Sequence, residues 1–317
     1  MNILITAFNR PETFRQVLKV VHEVEYAKLF LSLDAPKASD IVNRRKNKEV
    51  RSLMYDYAKE NNRVELIFYE NNQGCRKAIS QSITKCFTQV DDLIILEDDC
   101  LPLPGFFNYC KRALDEFREN NLIGSVSSQS FLFGKYHPSE DVFLSKYHHC
   151  WGWATWKRSW LMYEDEVSSF SEFIGGEKLE NLSSGEIGFK QYWRRIYNDL
   201  VKNEFDSWAY RWLFSCWKNQ LLSVVPRYSL VKNIGFDSNA THTSLEPMGL
   251  HKNYNYNWNA DLINFKIPIV RDKKAEVVIS NHHYHCWIDS SKLLNFCMKL
   301  MRNIRKYRGV LRDRFPH

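Results

Sequence analysis

The first 119 residues alternate short apolar runs with polar or amphipathic segments, and this alternation constrains the fold more than any other feature of the chain. The segments between the runs have helical periodicity or high polarity. Strands that alternate with helices predict a parallel sheet with helices on its faces, so the predicted fold class is α/β with a central, mostly parallel sheet. The predicted strands cover residues 2–7, 28–33, 64–69 and 93–96.

Composition and the amino terminus limit the class of protein. With 317 residues, 44% of them hydrophobic, the chain can bury a substantial core in one large domain or two. No run approaches the ~18 uncharged apolar residues that a membrane span needs, and the amino terminus enters the first strand without a basic leader. We therefore expect a cytoplasmic protein. The 8 cysteines are scattered without a Cys-x-x-Cys pair, which is typical of reduced thiols.

The net charge of +7 is concentrated at the carboxyl terminus, where residues 292–317 hold eight Lys or Arg and a single acidic residue, Asp313. These cations alternate with apolar residues at helical spacing. The pattern predicts a basic amphipathic helix that could lie on an anionic membrane surface, at the inner face of a membrane. The alternative is a solvated helix that docks on the protein by its apolar side. Because no basic face interleaved with aromatic residues occurs elsewhere, we do not expect a nucleic acid partner.

Polar residues follow the predicted strands at their carboxyl ends. Glu97, Asp98 and Asp99, the acidic triplet, come directly after the apolar run at 93–96, and Asp34 follows the second strand. In open α/β sheets ligands bind outside the carboxyl ends of the strands, so these residues mark a candidate site. Burying such carboxylates without partners would cost several kcal/mol each, so a hard cation, substrate hydroxyls or water must meet them.

Two common phosphate-binding loops are absent from the sequence. It contains neither a G-x-x-x-x-G-K-[ST] loop nor a G-x-G-x-x-G motif after the first strand. A nucleotide bound at the strand ends would therefore need an arginine and a metal ion to neutralise its phosphates.

The order of the motifs resembles the nucleotide-sugar half of GT-A glycosyltransferases, and within that fold it is most similar to the N-acetylglucosaminyltransferase I group and its bacterial relatives. The likeness covers about residues 1–245. It implies a donor-binding half at 1–125 and an acceptor-binding half of the same domain at 126–291. The basic tail at 292–317, predicted from its charge pattern, follows them. The motifs are Ala-Phe-Asn-Arg-Pro (7–11), Ser-Leu-Asp (32–34), Asn-Gln-Gly-Cys-Arg-Lys-Ala (72–78), Leu-Glu-Asp-Asp (96–99) and Pro-Gly-Phe-Phe-Asn-Tyr (104–109).

The resemblance assigns roles to the residues at the strand ends. Asp99 would bind a divalent ion, Mn²⁺ or Mg²⁺, that bridges the two phosphates of a nucleoside-diphosphate sugar. Asp98 would lie against the ribose, Asp34 against the base and Arg10 near the base or a phosphate. From the residues alone, Asp34 could equally cap the turn before Pro36, and Arg10 could be a surface charge. The expected donor-binding set is completed by Asn72, Gly74 and Arg76.

The segment 148–156 contains three tryptophans in six residues. Aromatic rings match the apolar faces of sugars, and a glycine lets a ligand approach the backbone. In the resembled enzymes a Gly-Trp pair at this distance lies between donor and acceptor sugars, which would place Gly152 and Trp153 in the donor site. The alternative is that these tryptophans belong to the core.

The expected catalytic base is Asp206, because the resembled group has an acidic residue just before a tryptophan here. A carboxylate in reach of the acceptor hydroxyl can remove its proton as the new bond forms. Asp206 could instead be the N-cap of a helix predicted at 207–219. The group has a second acidic residue where this chain has Ser207, and Glu204 is the reserve candidate for the base.

Histidines suggest two further metal sites. His242 lies in a small-residue loop that resembles the donor-closing loop of these enzymes, and it could complete the metal shell. His282, His283 and His285 would invite a zinc site, but no second ligand pair with suitable spacing occurs. We favour packing as their role.

The sequence thus predicts a metal-dependent glycosyltransferase that moves a sugar from a nucleoside diphosphate, most simply UDP, to a hydroxyl of a glycan or lipid-linked glycan. A free carboxylate base implies inversion at the sugar, and the likeness to bacterial enzymes suggests surface polysaccharide or lipopolysaccharide synthesis. The alternatives are a retaining enzyme of the same fold and a catalytically silent carbohydrate-binding module. A sugar-phosphate nucleotidyltransferase would want a Gly-rich basic loop after the first strand, which residues 8–11 do not form. The oligomeric state is open.

Overall fold

The computed structural model describes residues 1–236 and 249–290, and within these ranges the chain forms ten strands. Eight of the strands make one sheet and two make a small ribbon. The strands are β1 (Asn2–Ala7), β2 (Lys28–Leu33), β3 (Val64–Phe68), β4 (Asp92–Glu97), β5 (Cys100–Pro102), β6 (Ile123–Ser127), β7 (Val142–Ser145), β8 (Trp153–Trp156), β9 (Leu222–Pro226) and β10 (Val231–Asn233).

The order of the large sheet is β3-β2-β1-β4-β8-β6-β9-β7. The first four strands of this order run parallel, as do β6 and β9. Strand β8 is antiparallel to both β4 and β6, and β7 is antiparallel to β9. With helices on its faces, the sheet confirms the predicted α/β class with a large central sheet of mostly parallel pairs.

The helices of the described ranges connect the strands and cover the sheet. Helix α1 was predictable because its signals are local. Pro11 occupies its first turn, and its buried side chains form one stripe, which consists of Phe14, Val17, Leu18 and Val21. The helices are α1 (Pro11–His22), α2 (Ile41–Lys59), α3 (Gly74–Cys86), α4 (Phe106–Glu116), α5 (Lys157–Trp160), α6 (Ser171–Gly175), α7 (Glu177–Leu182), α8 (Phe189–Val201), α9 (Trp208–Lys218) and α10 (Lys273–Ile279).

Alternation along the strands divides the core between the two faces of the sheet. In β1, Ile3 and Ile5 join a cluster with side chains of α1 and α4, whereas Leu4 joins a cluster with side chains of α3 and α9. A third, aromatic cluster fills the second half of the molecule and contains Trp193 and Trp217. Among the described residues, no helix is both long enough and apolar enough to cross a bilayer.

The histidines near the carboxyl terminus lie in a helical segment and not on a strand. Residues Ser280–Tyr284 form a π-helical turn, and the ring of His283 stacks on Phe131 with 3.9 Å between centroids. In residues 1–236 and 249–290, no group of three or more His, Cys, Asp or Glu side chains is placed to hold a metal ion. The stacking of His283 on Phe131 agrees with the packing role favoured for it.

Candidate active site

The acidic triplet lies at the carboxyl end of β4, in the middle of the sheet. Strand β4 pairs in parallel with β1, with Glu97 opposite Thr6, so the triplet and residues 8–10 leave the sheet side by side. The chain then turns directly into β5, which pairs with β10. The backbone N–H of Ile234 donates to the carbonyl oxygen of Asp99 at 2.8 Å and fixes the end of the triplet.

Gly235 passes directly over this point, and sequence reasoning did not single it out. A Cβ atom at Gly235 would overlap the carboxylate of Asp99 and lie 2.8 Å from Nη1 of Arg10. A side chain here would therefore displace one of the two charged groups. The only sequence signal was the small-residue character of the loop after β10.

The side chain of Arg10 contacts the acidic triplet, and only 16% of it is exposed, so Arg10 is not a surface charge. Its guanidinium forms an ion pair with Asp99, and Nη1 lies 3.8 Å from Oδ1 of Asp98. The backbone N–H of Phe8 donates to Oδ2 of Asp98 at 3.1 Å. These contacts hold residues 8–10 against the end of β4.

Burial and mutual repulsion make the triplet electrostatically unfavourable. Burial, together with the charges of Asp99 and Asp98, raises the pKa of Glu97 to about 8, although Arg10 opposes the shift. Burial and the charge of Asp99 likewise raise the pKa of Asp98 to about 7. One guanidinium therefore does not satisfy the three carboxylates, and additional positive charge at this point would be stabilising.

A cavity of about 330 Å³ opens beside the triplet, between the ends of β1, β2 and β4 and the first turn of α3. Its volume lies within the range of small-molecule and cofactor sites. Five of the predicted donor-binding residues line it together, namely Arg10, Asp34, Asn72, Gly74 and Asp98.

Asp34 is placed in the cavity wall, but protein donors occupy both of its carboxylate oxygens. Oδ1 accepts from the backbone N–H groups of Ala35 and Gln73, each at 2.9 Å. Oδ2 accepts from the N–H of Gly74 at 3.0 Å and from Nδ2 of Asn72 at 3.2 Å. Burial raises the pKa of Asp34 in spite of the backbone hydrogen bonds, which lower it. The carboxylate thus organises the loop before α3, and its bond to Ala35 resembles the turn-capping alternative.

Gly74 is the first residue of α3 and adopts a left-handed conformation, with φ of +75°. A Cβ atom would have open space around it, so backbone strain is what favours glycine at this position. Gly74 and Asn72 both point their donors at Asp34. The predicted donor-binding residues of this loop therefore form one hydrogen-bonded unit.

Arg76 lies outside the lining of the cavity and binds acidic residues of the second half. Its Nε lies 2.7 Å from Oδ1 of Asp206, and its guanidinium also pairs with Asp165. Arg211 completes the group, with Nη1 3.3 Å from the same oxygen of Asp206. The group joins the start of α3 to the start of α9.

Asp206 is not the N-cap of the following helix. Helix α9 begins at Trp208, and the side chain of Ser207 accepts from the N–H of Tyr210 at 3.4 Å as its cap. The side chain of Asp206 is 56% exposed and is held by its two arginines. Glu204, the reserve candidate, is exposed in the turn between α8 and α9.

Cys75 lies in the first turn of α3, beside the cavity. The thiol lines the cavity, and desolvation followed by the negative charges of Glu97, Asp206 and Asp34 raises the pKa of Cys75 to about 12. Gly74 and Cys75 line the cavity, and Arg76 in the same turn of α3 pairs with Asp206, so the candidate base lies at the same end of the sheet as the cavity.

Gly152 and Trp153 are enclosed by other parts of the protein. Trp153 begins β8, is 1% exposed and stacks on Trp208 with 5.6 Å between ring centroids. Gly152 has φ of +65°, and a Cβ atom there would lie 2.5 Å from Cγ2 of Val231. Both residues therefore fit the core alternative. The close approach of Val231 explains why residue 152 is a glycine, and the stacking on Trp208 explains why the ring of Trp153 is buried. His242 lies outside the described residues, as does the tail at 292–317.

No family model and no curated protein matches the sequence. Among solved structures, the chain is similar to the mannosyltransferase PcManGT from Pyrobaculum calidifontis in complex with GDP-Man and Mn²⁺, at 12% identity and a TM-score of 0.35. That alignment covers 50% of this chain and 44% of the mannosyltransferase, which is less than half of its length. A 4-diphosphocytidyl-2C-methyl-D-erythritol synthase from Anaerococcus prevotii is similar at 11% identity and a TM-score of 0.37, over 73% of this chain and 88% of that one. Both likenesses are distant, and neither assigns the chain to a family.

Proposed function

We propose that this protein is a metal-dependent glycosyltransferase that moves a sugar from a nucleoside diphosphate to a hydroxyl of a glycan. One observation carries the proposal: the acidic triplet stands at the carboxyl end of β4, and its buried Asp98 and half-buried Glu97 line a cavity built from the ends of three strands. Carboxylate oxygens are the ligands that hard divalent cations prefer. The raised pKa values of Glu97 and Asp98 support a second cation beside Arg10.

Asp99 is the proposed protein ligand of that cation, with phosphate oxygens of the donor as further ligands. A bound Mn²⁺ or Mg²⁺ would neutralise charge that develops on the departing diphosphate. Arg10, which contacts Asp99, is proposed to turn to a phosphate oxygen when the donor binds. Asp98 lines the cavity and is proposed to meet the ribose. His242 stays a predicted additional metal ligand.

Asp206 is the proposed general base. Two ion pairs, to Arg76 and Arg211, fix the position of its carboxylate, and more than half of the side chain is open to an acceptor. A carboxylate so placed can accept the proton of the attacking hydroxyl. Because the base takes the proton of the acceptor directly, we propose a single displacement with inversion.

The finer identity of the substrates is also proposed. A UDP-sugar is the proposed donor, and a lipid-linked glycan of surface polysaccharide or lipopolysaccharide synthesis is the proposed acceptor. The basic tail at 292–317, attached to a neutral remainder of the chain, supports work at the inner face of an anionic membrane. The rival function, a catalytically silent carbohydrate-binding module, loses support because Trp153 is a core residue.

The test is a calorimetric titration of the protein with UDP, GDP, dTDP and CMP, each with and without Mn²⁺. We expect one nucleotide to bind much more tightly with the metal, because metal and diphosphate bind as a unit. Ligand that binds only the folded state also raises its stability, by about 2.7 kcal/mol at a hundred times the dissociation constant, so thermal melting provides a second readout.

Asp99→Ala should remove the metal dependence of nucleotide binding while the protein remains folded. The matched control is Asp56→Ala, which removes an exposed carboxylate on α2 that pairs only with Lys59 among the described side chains. Metal dependence that persists in the Asp99 variant would contradict the assigned ligand. No synergy with any nucleotide in the unmodified protein would contradict the proposed function itself.

A further inference from the structure

Helix α2 carries a basic face that is largely exposed within the described part of the chain. Ile41, Arg44, Arg45 and Lys48 are spaced at three, four and seven residues, which puts them on one side of the helix, and all four are exposed. Arg51 continues the same side one turn further. We call these five residues the α2 basic face.

The α2 basic face borders a groove of about 870 Å³ between the helix and the loop that follows β3. Five cationic side chains line this groove, namely Lys37 and the four of the basic face, against one carboxylate, Glu70. Clustered charges of one sign create a field that attracts a polyanionic partner.

The cations of the groove are not neutralised by the protein. Within residues 1–236 and 249–290, neither Lys37, Arg45 nor Lys48 forms an ion pair with a carboxylate. Arg44 donates to the carbonyl oxygen of Ala38 at 3.4 Å, and Arg51 lies over the ring of Phe68 at 4.4 Å. Both contacts leave the positive charge without an anion.

Two large aliphatic side chains stand exposed at the start of the same helix. Ile41 is 78% exposed and its neighbour Val42 is 69% exposed. A single exposed aliphatic residue needs no explanation, but an adjacent pair beside a cluster of cations is the composition of an interfacial surface. The aliphatic pair could enter the headgroup region while the cations contact lipid phosphates.

We propose that the α2 basic face, together with Val42, docks on an anionic lipid bilayer. The basic tail at 292–317 does not suit this face, because cations would meet cations. A nucleic acid would satisfy the charges but would leave the aliphatic pair without a role. The inference holds whether or not the transferase reaction proposed above is correct.

Docking at this face would bring the candidate active site to the membrane. The groove and the cavity beside the acidic triplet share Lys37 and Asn72 in their walls. A bilayer in contact with the groove would therefore lie next to the cavity. A lipid-linked acceptor would then be held close to the reaction site, a consequence that does rest on the proposed function.

The test measures binding of the full chain to vesicles of phosphatidylcholine alone and of phosphatidylcholine with phosphatidylglycerol, by sedimentation at low ionic strength. Arg44→Gln combined with Arg45→Gln should weaken binding to the anionic vesicles about 30-fold, because one cation near an anionic surface contributes ~1 kcal/mol. The matched control is Lys178→Gln combined with Lys202→Gln, which removes the same charge from exposed positions on α7 and after α8. The control should bind like the unmodified protein.

The aliphatic pair is tested separately with Ile41→Ser combined with Val42→Ser. This variant keeps every charge, so its loss of vesicle binding should persist at high salt, where electrostatic attraction is screened. All three variants change exposed side chains and should melt like the unmodified protein.

Three results would overturn the proposal. The first is unchanged vesicle binding in both α2 variants. The second is an equal loss in the Lys178 and Lys202 control, which would mean that net charge alone drives binding. The third is retained vesicle binding together with loss of binding to a mixed-sequence RNA or duplex DNA probe, which would assign the face to a nucleic acid.

Discussion

Asp34→Asn tests whether Asp34 builds the candidate nucleotide cavity or contacts the nucleotide. The resemblance to glycosyltransferases predicts a contact with the base, whereas the structure shows four protein donors on the carboxylate. Asparagine has nearly the same shape but replaces one acceptor oxygen by an amide that donates. Two of the four donors must therefore lose their acceptor, whichever way the amide is turned.

The magnitude follows from the cheaper of the two orientations. If the new amide faces Gly74 and Asn72, Asn72 keeps its other acceptor, the carbonyl oxygen of Ala35 at 2.7 Å, and only the N–H of Gly74 is left unsatisfied. One unsatisfied buried donor costs about 1 to 3 kcal/mol. Burial of the charged carboxylate is unfavourable and raises the pKa of Asp34, and a neutral amide avoids part of this cost. We therefore expect the loss in the free energy of unfolding to lie in the lower part of this range.

The assay is chemical unfolding of the protein without nucleotide, followed by titration with the preferred nucleotide and its competitors. We expect a lower free energy of unfolding and an unchanged preference among nucleobases. Asp40→Asn is the matched control, because Asp40 also lines the cavity and its carboxylate accepts from Asn43, through the N–H that it caps and through the side-chain amide. Asparagine is an equally good cap at this position. Unchanged stability of the Asp34 variant together with a lost nucleobase preference would refute the reasoning and restore the contact with the base.

Two further predictions concern catalysis and pH. Asp206→Asn should lower kcat by a factor of roughly 10² to 10⁴ with little change in donor affinity. The N-cap of α9 should survive in this variant, because Ser207 provides it. Full activity would exclude Asp206 as the base, and a large loss of activity in Glu204→Gln alone would transfer the role to Glu204. Burial lowers the pKa of His148 to about 4 in the folded state, whereas the pKa is ~6.5 in the unfolded chain. The contribution of the neutral His148 to the free energy of unfolding is therefore complete above pH ~6.5, and about 3 kcal/mol of it is lost as the pH falls toward 4. Between these pH values, the free energy of unfolding should fall less steeply in His148→Gln than in the unmodified protein. An identical pH dependence in the two proteins would contradict a buried, neutral His148.

The first half of the fold could be predicted because its signals are local. The apolar runs of β1 to β4 and the buried stripe of α1 lie within single segments of sequence, and the structure places them where periodicity puts them. Strand β8 could not be predicted in the same way. Its antiparallel position between β4 and β6 depends on pairing with residues far away in the chain.

The roles of individual site residues were harder to predict than their location. Asp34 does come to the cavity, but three of its four donors belong to a loop about forty residues later, and no local pattern reveals that pairing. Asp206 and Ser207 are both good N-caps, so sequence alone could not decide which residue begins α9. The resemblance put Trp153 in the donor site and left the core as the alternative; the sequence could not decide, because the stacking of Trp153 on Trp208 is a long-range contact.

The geometry of the acidic triplet itself depends on such a long-range contact. The ribbon of β5 and β10 brings Ile234 to the backbone of Asp99, and Gly235 then passes over the Asp99 and Arg10 side chains with no space for a Cβ atom. A carboxylate at the end of β4 can be read from sequence, but the glycine that leaves room for its charged partner lies far along the chain. The electrostatic state of the candidate metal site is therefore set jointly by the first strand, the fourth strand and the residues that follow β10.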